Sequence, residues 1–194
     1  MNTLNEKIIL TDCDGVLVDW LYSFGRWMKE EHGISGVSPD EYDLGKAMGM
    51  SAPEAKKYVE AFNLSSAIGY MKPERDAIKY VRKLHEEHGY LFHVITSQTD
   101  DQLGQAYRKE NLRNVFGDVF DGFTILKTGQ NKDKVLMKWE GTECFWIEDK
   151  VSNIKMGNDA GLEGILISHN WNDDCHDERK VKTWKEIYNI ITGE

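Results

Sequence analysis

Asp12 and Asp14 stand two residues apart, directly behind the short apolar run Lys7-Ile-Ile-Leu-Thr11. Two carboxylates at that spacing can divide the labour of a displacement at phosphorus. Asp12 is placed to attack and become an aspartyl phosphate. Asp14 is placed to protonate the leaving oxygen and later to take a proton from water. Phosphate monoester hydrolysis is among the slowest uncatalysed reactions, so a site of this kind also needs charge neutralisation. Three more clusters carry suitable residue types: Thr96 with Ser97, Lys132 with Lys134, and Glu148 with Asp149. Magnesium prefers oxygen ligands and bridges carboxylate to phosphate, so Asp12, Asp149 and the backbone carbonyl of Asp14 would hold it. Thr96 and the amides after it would cradle a phosphate at a helix start. An ammonium from Lys132 or Lys134 would offset charge on the transferred group.

Each cluster alone has a plainer reading. An Asp-x-Asp is usually a turn or a helix cap, a Thr-Ser pair caps helices, and lysines in polar loops are solvated. Position is what lifts them. Apolar runs at 7–11, 91–95, 123–126, 143–147 and 164–167 read as strands, and helical spacing marks 101–110, 133–139, 151–160 and 182–191. A further helix is predicted from Pro73 to a stop at Gly89. Such alternation demands a parallel sheet with helices on its faces, because parallel strands need crossovers. Ligands of open α/β sheets bind outside the carboxyl ends of the strands. Three of the four clusters end a predicted strand, and the lysine pair opens a helix.

Residues 20–72 interrupt the alternation. A helix is predicted over 20–31, with Leu21, Phe24, Trp27 and Met28 on one face. A loop containing Pro39 follows over 34–50, with at most one helical turn. A second helix starts at Ser51, with Glu54 at capping-box spacing and Tyr58, Val59 and Phe62 on its apolar stripe. Phe62 and Tyr70 read as interior residues of this segment. The expected fold is α/β: a Rossmann-like three-layer parallel sheet, residues 1–19 and 73–194, with a small helical cap, residues 20–72, inserted after the first strand.

The 194 residues carry 33 acidic against 24 basic side chains, a formal charge of −9. That balance disfavours polymeric nucleic acid, because no broad basic surface can replace its counterions. A small phosphorylated substrate remains compatible, since one lysine and a metal can hold it. No apolar run approaches the ~20 residues of a membrane span. Residues 1–10 lack the features of a secretory signal, and the short apolar run there reads as a first strand. Cys13, Cys144 and Cys175 have no zinc or disulfide spacing, so a reducing cytoplasm is the plain reading. A homodimer is compatible with this composition. The Asp173–Asp177 loop resembles a metal cluster only in composition and reads as solvated; His169 reads as fixing a loop.

Asp12-Cys13-Asp14-Gly15-Val16-Leu17-Val18-Asp19 resembles the first motif of the haloacid dehalogenase (HAD) superfamily, D-x-D-G-x-x-x-D. Val94-Ile95-Thr96-Ser97 resembles the second motif, Lys134 fits the third, and Ile147-Glu148-Asp149 the fourth. Within the superfamily the chain is similar to the 5′(3′)-deoxyribonucleotidases. The likeness rests on the helical cap after the first motif, Lys132-Asp133-Lys134, His169-Asn170 and Trp184-Lys185-Glu186-Ile187. This resemblance implies magnesium-dependent hydrolysis of (deoxy)nucleoside monophosphates, with Asp12, Asp14, Thr96 and Lys134 catalytic. It implies Ser97, Lys132 and Gly15 around the substrate, with Trp20 packed on the nucleobase. Asp12, Asp14, Asp149 and Glu148 would surround the metal. Glu148 replaces the family's aspartate, which implies contact through water, and Asn153 stands where some members carry a further acid. Two rivals remain: a phosphatase for another small phosphometabolite, and a non-catalytic regulatory domain similar to bacterial receivers. In receivers the phosphorylated aspartate lies mid-chain after an early acidic pair, whereas here the Asp-x-Asp comes first.

Overall fold

The computed structural model describes residues 7–38, 43–176 and 179–194. The part of the opening segment before Lys7, the loop residue Pro39, and Asp177 lie outside the described residues. Strand β1 (Lys7–Thr11) alternates its side chains between two cores. Ile9 enters one hydrophobic cluster and Leu10 the other. The same alternation recurs at Val94/Ile95 of β2 (Tyr90–Ser97), Ile147/Trp146 of β4 (Phe145–Glu148) and Ile165/Leu166 of β5 (Glu163–Ile167). A sheet buried on both faces has no polar side, which is why these strands read as unbroken apolar runs.

With β3 (Phe120–Leu126) and β6 (Lys180–Val181) the sheet has the order β3-β2-β1-β4-β5-β6, every pair parallel. One face is covered by α4 (Ala77–His88), α5 (Gln102–Phe116) and α8 (Trp184–Thr192). The other carries α6 (Asp133–Leu136) and α7 (Val151–Asp159). This is the expected three-layer arrangement. The chain winds outward from β1 in one direction and then, from β4, in the other. A crevice therefore opens at the carboxyl end of β1, where the order reverses.

Between β1 and α4 lie α1 (Trp20–His32), α2 (Leu44–Met48), α3 (Ala52–Leu64) and a 3-10 turn at Ser66–Tyr70. The chain enters and leaves this helical segment through two stretches that lie side by side. Val18 bridges Pro73 in antiparallel sense, and the Asp19 N–H donates to the Lys72 carbonyl at 2.8 Å. Phe24, Met28, Phe62 and Ile68 are fully buried and join the same core as Ile9 and Phe92. Tyr70 is instead 87% exposed, so the expectation that it packs inside the segment is corrected. No helix among the described residues is long and apolar enough to cross a membrane.

Other local expectations shift for physical reasons. The helix predicted from Pro73 begins at Ala77, because Asp76 takes a left-handed φ of 57°. Its carboxylate accepts the N–H groups of Trp184 and Lys185 at 3.1 and 3.2 Å and thereby caps α8 instead. Ser51 does precede α3, but its side chain makes no capping hydrogen bond, so the expected box with Glu54 is absent. A reciprocal box forms at the start of α8, between Thr183 and Glu186. Helix α5 runs six residues past Glu110 to Phe116, held by burial of Leu112 and Phe116. The two-residue strand β6 is too short for any periodicity to reveal it.

Candidate active site

Asp12 follows the last residue of β1, and its N–H donates to the Ile147 carbonyl at 2.8 Å, which wedges the residue between β1 and β4. The Cys13 N–H donates to Asp12 Oδ1 at 2.7 Å. Lys132 Nζ lies 2.8 Å from Asp12 Oδ2 and 2.8 Å from Glu148 Oε2. Glu148 is fully buried at the end of β4, and each of its oxygens accepts two hydrogen bonds. Oε2 takes Lys132 and Asn153 Nδ2 (2.9 Å); Oε1 takes the Asp149 and Lys150 amides at 3.0 and 3.1 Å. Asp149 is positioned from behind by Asn172, whose Nδ2 donates to the Asp149 carbonyl at 2.8 Å.

Gly15 is the tight point of this arrangement. Its φ is +72°, and a Cβ there would sit 2.7 Å from Asp149 Oδ2. Only a residue without a side chain permits both the turn and the approach of that carboxylate. The Gly15 carbonyl accepts a 2.7 Å hydrogen bond from His169 Nε2. The His169 ring stacks on Trp171, centroids 4.2 Å apart, and burial lowers its pKa, which suits a neutral imidazole donating from Nε2. His169 thus ties the loop after β5 to the loop after β1.

Asp12, Glu148 and Asp149 bring carboxylate oxygens within 4.8 Å of one another. Burial, and then the neighbouring Glu148 charge, push the Asp12 carboxyl up to about 7. The same two causes raise Asp149 well above its ordinary value. Burial would raise Glu148 too, but Lys132 and the surrounding donors overcome it and hold the group low. Three buried carboxylates face one ammonium, so their full ionisation would leave an excess of negative charge in a low-dielectric setting. A divalent cation fits that donor set. With Glu148 fully occupied by hydrogen bonds, the oxygens of Asp12 and Asp149 are the ones suited to hold it.

Asp14 lies outside this three-carboxylate cluster but on the wall of the same cavity. Its carboxylate forms a two-pronged pair with Arg108 of α5: Nη1 meets Oδ1, and Nη2 donates to Oδ2 at 3.2 Å. Nη1 also donates to Cys13 Sγ at 3.0 Å, and burial pushes that thiol up to about 12, away from any thiolate chemistry.

The remaining site residues fall in two groups. Asp12, Asp14, Gly15, Trp20, Thr96, Ser97, Lys132, Glu148 and Asp149 all line one cavity of about 1120 Å³ between the sheet end and the helical segment. Strand β2 runs through Ser97, and Asp101 caps α5, so Thr96 and Ser97 end a strand rather than start a helix. The Ser97 hydroxyl donates to the Gln130 carbonyl at 2.8 Å. Trp20 stacks one face on Phe24 (4.7 Å) and donates from Nε1 to Asn63 Oδ1 at 3.3 Å. Lys134 is not brought to the site. It is exposed and absent from the cavity wall, while Lys132 is buried there. The residues differ by two positions at a helix start, roughly 200° of rotation, so only one of them can face inward.

Sequence reasoning passed over Arg108, Asn172 and the role of Asn153 as a donor to Glu148. For Arg108 a signal existed: it lies four residues from both Gly104 and Leu112, on the buried face of α5. Asn172 carried none, because its partners, the Asp149 and Ile167 carbonyls, meet only in the folded chain.

A six-stranded parallel sheet of this order, covered by helices on both faces, has the fold of solved HAD-like hydrolases. A haloacid dehalogenase-like hydrolase of Streptococcus pneumoniae superposes with a TM-score of 0.62 at 16% identity, covering 96% of this chain and 98% of that one. The L-2-haloacid dehalogenase of Xanthobacter autotrophicus, with chloropropionic acid covalently bound, gives 0.63 at 12% identity over 97% and 99%. CbbY of Rhodobacter sphaeroides in complex with phosphate gives 0.58 at 12% identity over 94% and 96%. In sequence, a 32.4 kDa protein from the Gp30-rIII intergenic region of enterobacteria phage T4 is 26% identical over 198 residues, 96% of this chain and 70% of that protein. No family profile matches the chain.

Proposed function

We propose that the chain is a magnesium-dependent phosphomonoester hydrolase acting through an aspartyl phosphate on Asp12, with nucleoside monophosphates as its substrates. The observation that carries the reading is the placement of Asp12. It is buried at the switch point of the sheet, between the Lys132 ammonium and Asp149, at the floor of a cavity large enough for a nucleotide. An Asp12 oxygen attacks phosphorus and the bond to the leaving oxygen breaks, with a proton supplied from Asp14. Asp14 then removes a proton from water, the water oxygen attacks phosphorus, and the Asp12–phosphorus bond breaks. Lys132, rather than Lys134, is the ammonium facing the transferred group, with Thr96 beside it on the cavity wall. When bound between Asp12 and Asp149, magnesium would offset the charge of the phosphate oxygens.

Carboxylate attack on carbon, the chemistry of a dehalogenase, would also use Asp12. The acid cluster around Asp149 favours a substrate that brings its own anionic oxygens to a cation. The apolar lining residues Trp20, Leu21, Val37, Leu44 and Val59 support a flat, poorly hydrated group such as a nucleobase in the cavity.

The deciding experiment is phosphate release with magnesium across deoxy- and ribonucleoside monophosphates and sugar phosphates, for the native chain and Asp12→Asn. Turnover of nucleotides that Asp12→Asn abolishes, while its circular dichroism stays native, supports the reading. Equal rates on sugar phosphates would remove the nucleotide assignment, and turnover retained by Asp12→Asn would remove the mechanism.

A further inference from the structure

Arg108 is the most heavily buried charge outside the carboxylate cluster, at 0% exposure in the middle of α5. A guanidinium taken out of water and left unpaired is strongly destabilising. A helix position between Gly104 and Leu112 would ordinarily be filled by an apolar side chain. Among the described residues Asp14 is the one carboxylate that pairs with Arg108, and the guanidinium Nε has no partner. The two-pronged pairing uses both Asp14 oxygens, so it sets the plane of the carboxylate as well as its location. Asp14 itself remains part of the cavity wall, with its side chain 28% exposed. The guanidinium therefore lies behind Asp14, on the side away from a substrate.

Resting on the function proposed above, we infer that Arg108 is a positioning residue: it acts through Asp14, orienting the group that exchanges protons with the leaving oxygen and with water. Arg108 keeps its own protons throughout. In the first half-reaction the Asp12–phosphorus bond forms, the bond to the leaving oxygen breaks, and the proton passes from Asp14 to that oxygen. In the second, a water proton passes to Asp14 as the Asp12–phosphorus bond breaks. Misorientation of Asp14 slows proton delivery to the leaving oxygen, which matters for a sugar hydroxyl and little for 4-nitrophenolate, a leaving group stable without a proton, whereas it slows hydrolysis of the aspartyl phosphate alike for both.

The test compares the native chain, Arg108→Met, Arg108→Lys, Asp14→Asn and the double variant Asp14→Asn/Arg108→Met. Substrates are a nucleoside monophosphate and 4-nitrophenyl phosphate, and folding is checked by circular dichroism. Positioned acid–base groups contribute about 100-fold or more, so Arg108→Met should lose roughly that in kcat/KM on the nucleotide and under about tenfold in kcat/KM on the nitrophenyl ester, because kcat/KM reports the half-reaction in which the leaving group departs. Arg108→Lys should recover part of the loss. In the Asp14→Asn background Arg108→Met should change kcat less than about twofold, because the group it acts through is gone. The double variant also removes both members of the buried pair, so it keeps the test alive if Arg108→Met alone does not fold. Equal losses in kcat/KM on both substrates, or losses that multiply in the double variant, would show that Arg108 merely supports the fold and would overturn the inference. A native chain that turns over neither substrate would sink the phosphatase reading and this inference together.

Discussion

Lys132 Nζ sits 2.8 Å from Asp12 Oδ2, and both side chains are buried. The contact links a loop before α6 to the residue after β1, and its second arm reaches Glu148 on β4 at the same distance. The opposed charges of Asp12 and Glu148 raise the lysine pKa despite a burial that alone would lower it. Lys132 is thus the counter-charge on which the geometry of the whole cluster depends.

Removing one member of a buried ion pair leaves the rest uncompensated and costs about 3–5 kcal/mol. Lys132→Met should therefore destabilise the fold by about that much in urea titration and abolish phosphate release. Lys134→Ala is a surface change and should stay within about 0.5 kcal/mol of the native chain, with turnover preserved. A reversal of the two outcomes would return the catalytic lysine to position 134.

Cation binding should be visible without any substrate. Magnesium must displace the proton of a carboxyl pushed up to about 7. Its affinity, read as a rise in melting temperature or by calorimetry, should accordingly fall about tenfold for each pH unit below 7 if one proton is released. In the metal-free chain the folded state holds that proton between pH 3.8 and about 7 while the unfolded state has lost it. Stability without metal should decline as pH rises through that window, and added magnesium should reverse the decline. Asp149→Asn should erase the magnesium response; a full response in that variant would remove Asp149 from the cation site.

Gly15→Ala should fail in two ways at once. The methyl group would strain a backbone at φ +72° and press on Asp149 Oδ2 at 2.7 Å. Strain of this kind costs about 1–3 kcal/mol. The variant should melt earlier and, because Asp149 must move, lose most of its magnesium-induced stabilisation. A lowered melting temperature with an intact magnesium response would show that Gly15 serves the turn alone.

Glu74 borders the same cavity, and burial, followed by the charge of Asp19, pushes its carboxyl up to about 7. Ionising it is unfavourable in the folded chain, so its penalty appears as pH rises from about 4.5 and is complete above about 7. Glu74→Gln should raise the melting temperature at pH 8 and leave it unchanged at pH 4. Stabilisation of equal size at both values would point to a cause other than titration.

The sequence by itself determined the layered α/β plan and the strand ends that carry Asp12, Thr96 and Glu148. Apolar runs that stop at polar residues are a local pattern, and burial on both sheet faces imposes it on the strands themselves. The helical segment between β1 and α4 was legible for the same reason, from the stripe of Phe24, Met28 and Phe62. Tertiary structure alone decided which lysine faces Asp12, that Asp76 would leave its own helix to cap another, and that Arg108 would meet Asp14 from 94 residues away. It also decided that Glu148 spends its oxygens on Lys132, Asn153 and two amides. Those outcomes turn on the direction of a side chain and on partners distant in the chain. Periodicity records which face of an element is dry, but it does not record which charge will be waiting there.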